Sequence, residues 1–505
     1  MSAKACIGWL RVLGLLAVLG SGACGCTVAP SYKKPDLPVP DHYLAQPAAN
    51  EASLDEWWQG FADPELQSLV AQALKSNLDL QSAIARVREA REQEVIAGAA
   101  GLPSVGASGA GVGLYSKSNP LAGLMSGGSG GANGGSGGGG SGGSSSDSST
   151  HLHVYALALD ATWEIDLFGG VRSAVEAARA STEAQVWQVR DGEVSLTAEV
   201  ANDYLTLRAL QARQAMLVAS IAHEEELLQL ATSRLRAGLA SELDVNQERT
   251  QLARDQAQLP QLDAQAGATT SALAVLLGEA PEAMQEKLSP APVTIEAAPA
   301  IGVELPAGLP SDLLRQRPDV RAAERRLAAA TGDVGVAVAR LYPSFDLIGA
   351  ATLASSSLHG LLDTRSFAAL GIGDVMWPVF AGGKLQANVR ASEAARDAAY
   401  IAYQISILAA LRDAETAIIR CATEERRLES LQAYVSAASS TRKIAEDEYR
   451  NGIVDFTTVL TAADAELDAR DSLVQSRQTL AQARISLFKA LGGGWSETSA
   501  KAATR

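Results

Sequence analysis

The sequence predicts a mixed, mainly α fold: a tandem-duplicated unit of long helices plus two β-strands, giving four strands per chain. Three observations predict it. Trp163, Gly169, Arg236, Gly238, Val245 and Gly278 recur as Trp377, Gly383, Arg450, Gly452, Val459 and Gly492, each 214 residues on. Upstream, Asp79, Arg86, Pro103, Ser104 and Gly109 recur as Asp319, Arg326, Pro343, Ser344 and Gly349, at a spacing of 240. In each copy a short alternating stretch precedes an unbroken helical pattern, from about Val171 to Arg236 and from about Leu385 to Arg450. At 1.5 Å per residue each such helix is roughly 100 Å long, several times the width of a small domain.

The two spacings differ by 26 residues, close to the length of the tract 126–149, which holds 12 Gly and 9 Ser. Such a tract cannot bury enough apolar surface to offset its ordering entropy. It therefore reads as a loop inserted into one copy and not as a boundary between domains. The usual inference of several domains from a length of 505 residues falls away with it.

Charge and composition narrow the function. A net charge of −15 argues against a nucleic-acid partner, which needs a basic face. Five His and four Cys without metal-ligand spacing argue against a metal enzyme. His151 and His153 share a strand face, but nothing completes a site around them. No catalytic constellation emerges, so no enzyme is expected.

The elements follow in order. Lys4 and Arg11 precede the apolar run Val12 to Leu19 and the small residues 20–23. This is the order of a secretory signal, assigned to residues 1–25, and it is too short to span a bilayer. Residues 26–63 form an N-terminal segment. Unit one, 64–280, opens with a helix from Pro64 to about Ala100, with Pro at its start. Strands at about 102–115 and 152–167 flank the Gly/Ser loop. The long helix carries a 3/4-spaced seam of Val200, Tyr204, Leu207, Val218, Ile221, Leu228 and Leu235 for helix partners. A turn at Gly238 leads to a returning helix that ends at Gly278 and is interrupted by Pro260, where a kink is expected. A linker, 281–310, joins unit two, 311–495: a helix from Ser311 to about Arg340, strands at about 343–354 and 366–380, and a second hairpin turning at Gly452. Residues 496–505 are a tail. Cys421 falls in a helical pattern and reads as packing.

In residues 152–167, Tyr155, Leu157, Leu159, Ala161, Trp163, Ile165 and Leu167 form one face, while Asp160, Thr162, Glu164 and Asp166 lie on the other. Phe345, Leu347, Ala351 and Leu353 continue the apolar face. Apolar out and small or acidic in is the pattern of a barrel strand between lipid and lumen, with Asp160, Glu164 and Asp166 as lumen carboxylates favouring cations. Four strands are too few to close a side-chain-lined barrel, which takes about eight, and lipid tolerates no open edge. Strands that span a membrane must then come from several chains; three copies give twelve.

Several stretches resemble one family, the outer-membrane factors of bacterial efflux and secretion systems (TolC-like and OprM-like channels). Glu56-Trp57-Trp58 with Phe61-Ala62-Asp63-Pro64-Glu65-Leu66 resembles the family's entry into its first helix. The stretch Leu309 to Arg321 (LPSDLLRQRPDVR) is similar to its NodT-type lipoprotein branch, as are Leu341 to Phe345 and Lys489 to Trp495. The resemblance covers the whole mature chain except the Gly/Ser insertion. It implies a trimeric 12-stranded outer-membrane β-barrel continued by a periplasmic α-barrel, with 26–63 and 281–310 as equatorial segments and the insertion outside the cell.

The resemblance also implies a lipid anchor. Cys26 is the preferred first residue of the mature chain, with Cys24 as the alternative, carrying diacylglycerol and an N-acyl lipid and no other cofactor. The hairpin tips, with Arg236, Gly238, Leu239, Ser241, Leu243, Arg450, Gly452, Ile453 and Phe456, are implied to dock a periplasmic adaptor (membrane fusion protein). Thr457 and Thr461 fall at the family's periplasmic constriction, Thr461 in place of the usual acid, with Asp455 or Asp464 as possible substitutes. The implied function is a passive exit duct for small molecules and drugs, coupled through the adaptor to an inner-membrane transporter of the resistance-nodulation-division type. A duct for type I protein secretion and a lipid-anchored coiled-coil scaffold are the alternatives.

Overall fold

The computed structural model describes residues 28–36, 56–116, 150–288 and 316–495, with residues 40 and 54. The leader with Cys24 and Cys26, the Gly/Ser tract, residues 289–310 of the linker and the tail lie outside the described residues. The chain divides into two compact units: residues 1–31, 93–178 and 331–394, and residues 32–92, 179–330 and 395–505.

The first unit holds the sheet. Strands β1 (Ser104–Ser116), β2 (Thr150–Glu164), β3 (Ser344–Ser355) and β4 (Phe367–Met376) are antiparallel and lie in sequence order. The alternation read from the sequence matches the register. Leu159 faces Ala107 and Ala351, and Trp163 faces Leu347. β4 stops at Met376, short of position 380, because Pro378 has no N–H for the ladder. The duplication is visible in the bonding: Trp163 Nε1 donates to the Gly101 carbonyl at 3.0 Å, and Trp377 Nε1 to the Leu341 carbonyl at 3.3 Å. The donors are 214 residues apart and the acceptors 240.

The helices are α1 (Pro64–Ser76), α2 (Leu78–Ala99), α3 (Gly170–Arg236), α4 (Glu242–Leu277), α5 (Pro281–Lys287), α6 (Pro318–Ala339), α7 (Lys384–Arg450) and α8 (Phe456–Ala490). The opening helix of unit one is thus two helices, a correction to the single run to Ala100. Asn77 causes the break. Its Oδ1 accepts from Leu80 N–H at 2.9 Å and caps α2, while its Nδ2 donates to the Leu276 carbonyl at 2.9 Å near the end of α4. Arg317, its counterpart 240 residues on, also sits outside a helix and donates to the Ala490 carbonyl at 3.1 Å. Leu276 and Ala490 are themselves 214 apart. One junction is therefore built twice, from different side chains.

In the second unit the aromatic motif before α1 forms core. Trp57 stacks on Phe488 at 5.4 Å, and Trp58, Phe61, Leu66, Tyr204 and Leu207 are buried around them. Asp63 caps α1 by accepting from the N–H groups of Glu65 and Leu66, and its other oxygen takes the Tyr204 hydroxyl at 2.7 Å. The α3 seam holds at Val200, Tyr204 and Leu207, but Val218 is 50% exposed, while Met216, Leu217, Leu227 and Ala231 are buried. A straight helix drifts against a 3.5-residue repeat by about 20° per heptad, so no fixed spacing keeps one face inward over this length. Helix α4 runs through Pro260 without ending there. Cys421 is fully buried among Tyr403, Ile407 and Leu487.

Candidate functional site

The structure contributes two sets of candidate groups, one in each unit. In the sheet, Asp160 and Glu164 lie on one face of β2. Glu164 is directly opposite Asp346, and Asp346 is directly opposite Asp374. Three carboxylates thus stand side by side across β2, β3 and β4. The sequence reading missed Asp346 and Asp374, although alternation from Phe345 already put Asp346 on the polar face. The same face carries Ile348, Leu370 and Ile372, so the clean polar alternation of β2 does not extend to β3 and β4. Asp166 is a correction: it lies beyond the end of β2, where it accepts from Arg172 N–H at 3.0 Å and holds the first turn of α3.

The opposite face is apolar, with Val105, Leu157, Leu159, Trp163, Leu347, Phe367 and Val375 all exposed. β1 pairs only with β2 and β4 only with β3 among the described residues, leaving both outer edges open. No helix among the described residues is long and apolar enough to cross a membrane. Among them, too, no group of three or more His, Cys, Asp or Glu could hold a metal ion; the His151 side chain lies outside them.

In the second unit, the two hairpin tips repeat one backbone design. At the first, Gly238 N–H bonds the Leu235 carbonyl and Leu239 N–H the Arg234 carbonyl; at the second, Gly452 bonds Tyr449 and Ile453 bonds Glu448. Each is a Schellman end, with glycine at φ 75° and 73° respectively, left-handed backbone that a side chain would strain. The apolar residue after each glycine points out: Leu239 and Ile453 are each 69% exposed, and Leu243 is 64% exposed. Arg236 is exposed, and Arg450 pairs with Asp447 at 3.6 Å. Phe456 is a correction. At 2% exposure it packs on Tyr449 with ring centroids 5.1 Å apart, anchoring the tip from within.

The two tips differ in their caps. Ser241 and Asp244 form a reciprocal capping box on α4, whereas Asp455, at the same place before α8, makes no side-chain cap bond. Arg234 was not singled out in the sequence. Its Nη1 donates to the Tyr449 and Arg450 carbonyls at 2.9 and 3.1 Å, and its guanidinium lies 4.6 Å from the Tyr449 ring. One cation on the first hairpin thus closes the carbonyl end of α7 in the second.

Thr457 and Thr461 are exposed, and Thr461 donates its hydroxyl to the Thr457 carbonyl at 2.8 Å. That donor is committed to its own helix and is not offered elsewhere. Asp464 accepts from Gln251 of α4 at 2.6 Å, which ties the two hairpins together. Arg213 of α3 reinforces the tie with two bonds to Asp471 of α8.

Paired strands and long helical hairpins, both duplicated along one chain, are the parts of a channel subunit. The sequence pattern of the outer membrane efflux protein family matches residues 69–279 and 309–493. The chain is 34% identical over 481 residues to the pyoverdine export outer membrane protein OpmQ of Pseudomonas aeruginosa, covering 95% of this chain and 96% of that one. It is 31% identical over 494 residues to the probable efflux pump outer membrane protein TtgC of Pseudomonas putida, covering 96% of each. The solved structure of the outer-membrane channel OprN is 32% identical and superposes with a TM-score of 0.82, over 93% of this chain and all of that one. The chain belongs to the outer membrane efflux protein family, whose members are channels and not enzymes.

Proposed function

We propose that this chain works as one third of a passive exit duct, three copies pooling their strands into a 12-stranded outer-membrane barrel. The open edges of the four-stranded sheet carry this reading. Unpaired backbone N–H and C=O groups are not tolerated in lipid, and the exposed apolar face of the sheet suits contact with lipid chains. In a closed ring of three, β1 of one copy pairs with β4 of the next. The carboxylates of Glu164, Asp346 and Asp374 then line the lumen and favour cations.

In this reading the acylated cysteine, Cys26 or Cys24, anchors the chain in the outer membrane while the hairpins extend into the periplasm. The exposed apolar residues Leu239, Leu243 and Ile453, beside Gly238 and Gly452, dock a periplasmic adaptor, and Ser241, Arg236 and Arg450 form the polar rim. An inner-membrane transporter of the resistance-nodulation-division type supplies the energy. Thr457 and Thr461 mark the constriction, closed by packing and not by a ring of acids. Small molecules are the favoured cargo, since relatives are named for pyoverdine export and efflux pumping.

Single-channel recording with chemical crosslinking tests the duct. Conducting trimers whose conductance rises in the Thr457→Gly, Thr461→Gly double variant are expected; a monomer without conductance rejects the duct. Mass spectrometry of the mature N-terminus decides between Cys26 and Cys24.

A further inference from the structure

We infer that the α3–α4 hairpin carries a proton-operated switch: Glu224 on α3 and Glu248 on α4, packed near Asp255, hold the two helices together when protonated and force them apart when ionised. The inference rests on side-chain placement within the second unit and is independent of the duct reading. Glu248 and Asp255 are seven residues apart, two turns along one face of α4. Both are fully buried, at 0% and 1% exposure, and Glu224 is buried opposite them.

The polar surroundings do not compensate three charges. Neither oxygen of Glu248 has a hydrogen-bond partner. Asp255 accepts from Gln258 at 3.1 Å and Gln251 at 3.4 Å, and Glu224 accepts from Ser220 at 3.4 Å. The other oxygen of Glu224 has no hydrogen-bond partner, and Asp255 lies close enough to act on it. A buried carboxyl oxygen that no donor reaches favours the neutral, protonated group.

Groups on the neighbouring elements add to the imbalance. From α8, Asp464 faces Glu248 as a further carboxylate, and Arg254 of α4 acts on Asp464. Four basic groups on α3, α7 and α8 are committed elsewhere. His223 of α3 and Arg442 of α7 bond Glu446, Arg442 and Arg470 bond Glu466, and Arg213 bonds Asp471. An adjacent cluster on α7 and α8 is thus charge-balanced while this one is not. Asp255 and Asp464 also line a cavity of about 330 Å³ with Gln251, Arg254 and Gln258.

Burial first, then Asp255 and Glu248, pushes Glu224 up to about 8. Burial first, then Asp464 and Asp255, pushes Glu248 up to about 7. Both values are raised on folding, so the folded hairpin binds more protons than the unfolded chain. Its stability is therefore greatest in acid, falls as pH rises from the ordinary glutamate value of 4.5 to about 8, and is level above that.

Hydrogen–deuterium exchange on the full-length protein at about pH 6 and about pH 9, corrected for intrinsic exchange rates, tests the switch. Amide protection across 220–230 and 245–258 is expected to drop by about tenfold or more at the higher pH in the wild type. The Glu224→Gln, Glu248→Gln double variant should keep its protection at both values. An unchanged wild type, or a variant with the wild-type pH dependence, overturns the inference. Infrared difference spectroscopy of the wild type gives a readout that needs no variant. A protonated-carboxyl band present at neutral pH and lost by about pH 9 is expected, and its absence at neutral pH also overturns the switch.

Discussion

Arg234 performs two tasks with one side chain, donating to the last carbonyls of α7 and covering the face of Tyr449. A charged hydrogen bond to a carbonyl is worth more than a neutral one, so Arg234→Ala is expected to lower stability by about 1–2 kcal/mol. Limited proteolysis should then cut first at the second tip, around Asn451 to Val454; unaltered cleavage there would count against the tie. At Cys421, burial pushes the thiol up to about 11, well above solution pH. A maleimide should spare it in the native protein and label it fully after denaturation. The sequence marked Cys421 as packing because its helical setting was visible. It could not mark Arg234, because the carbonyls that Arg234 serves lie 215 and 216 residues away along the chain. Phe456 was misread for a related reason: an aromatic beside a turn glycine looks the same in sequence whether it faces a partner or its own helix.

Within the elements, the backbone of the two tips is duplicated but the caps are not. Ser241→Ala removes a reciprocal cap from α4 and should cost about 1 kcal/mol in a denaturant titration. Asp455→Ala removes no such bond and should stay within about 0.5 kcal/mol of wild type. Equal losses at the two positions would show that the capping box does not matter here. The elements were mostly legible because their physics is local. Alternation defines the strands, and the left-handed glycines define the ends of α3 and α7. What escaped was set by distant partners. The break at Asn77 depends on the Leu276 carbonyl, and the burial of Met216 and Leu217 in place of Val218 depends on helical drift across many turns.

Taken over the whole molecule, the duplication was readable from two spacings, and it survives in the structure as repeated bonds. The row of Glu164, Asp346 and Asp374 places like charges directly opposite each other across adjacent strands, an arrangement that costs roughly 0.2–1 kcal/mol per pair. Asp346→Asn, at the centre of the row, should therefore stabilise the sheet and lower the cation preference of reconstituted channels. Both can be read from thermal unfolding and from reversal potentials in a salt gradient, and an unchanged reversal potential would remove the row from the conducting path. The junction at Asn77 and Arg317 has a different consequence. An amide in one half and a guanidinium in the other reach matching carbonyls, so the two halves act as each other's control experiment. Exchanging the two residues would separate what the location demands from what the side chain's chemistry adds, within a single polypeptide and without reference to any relative.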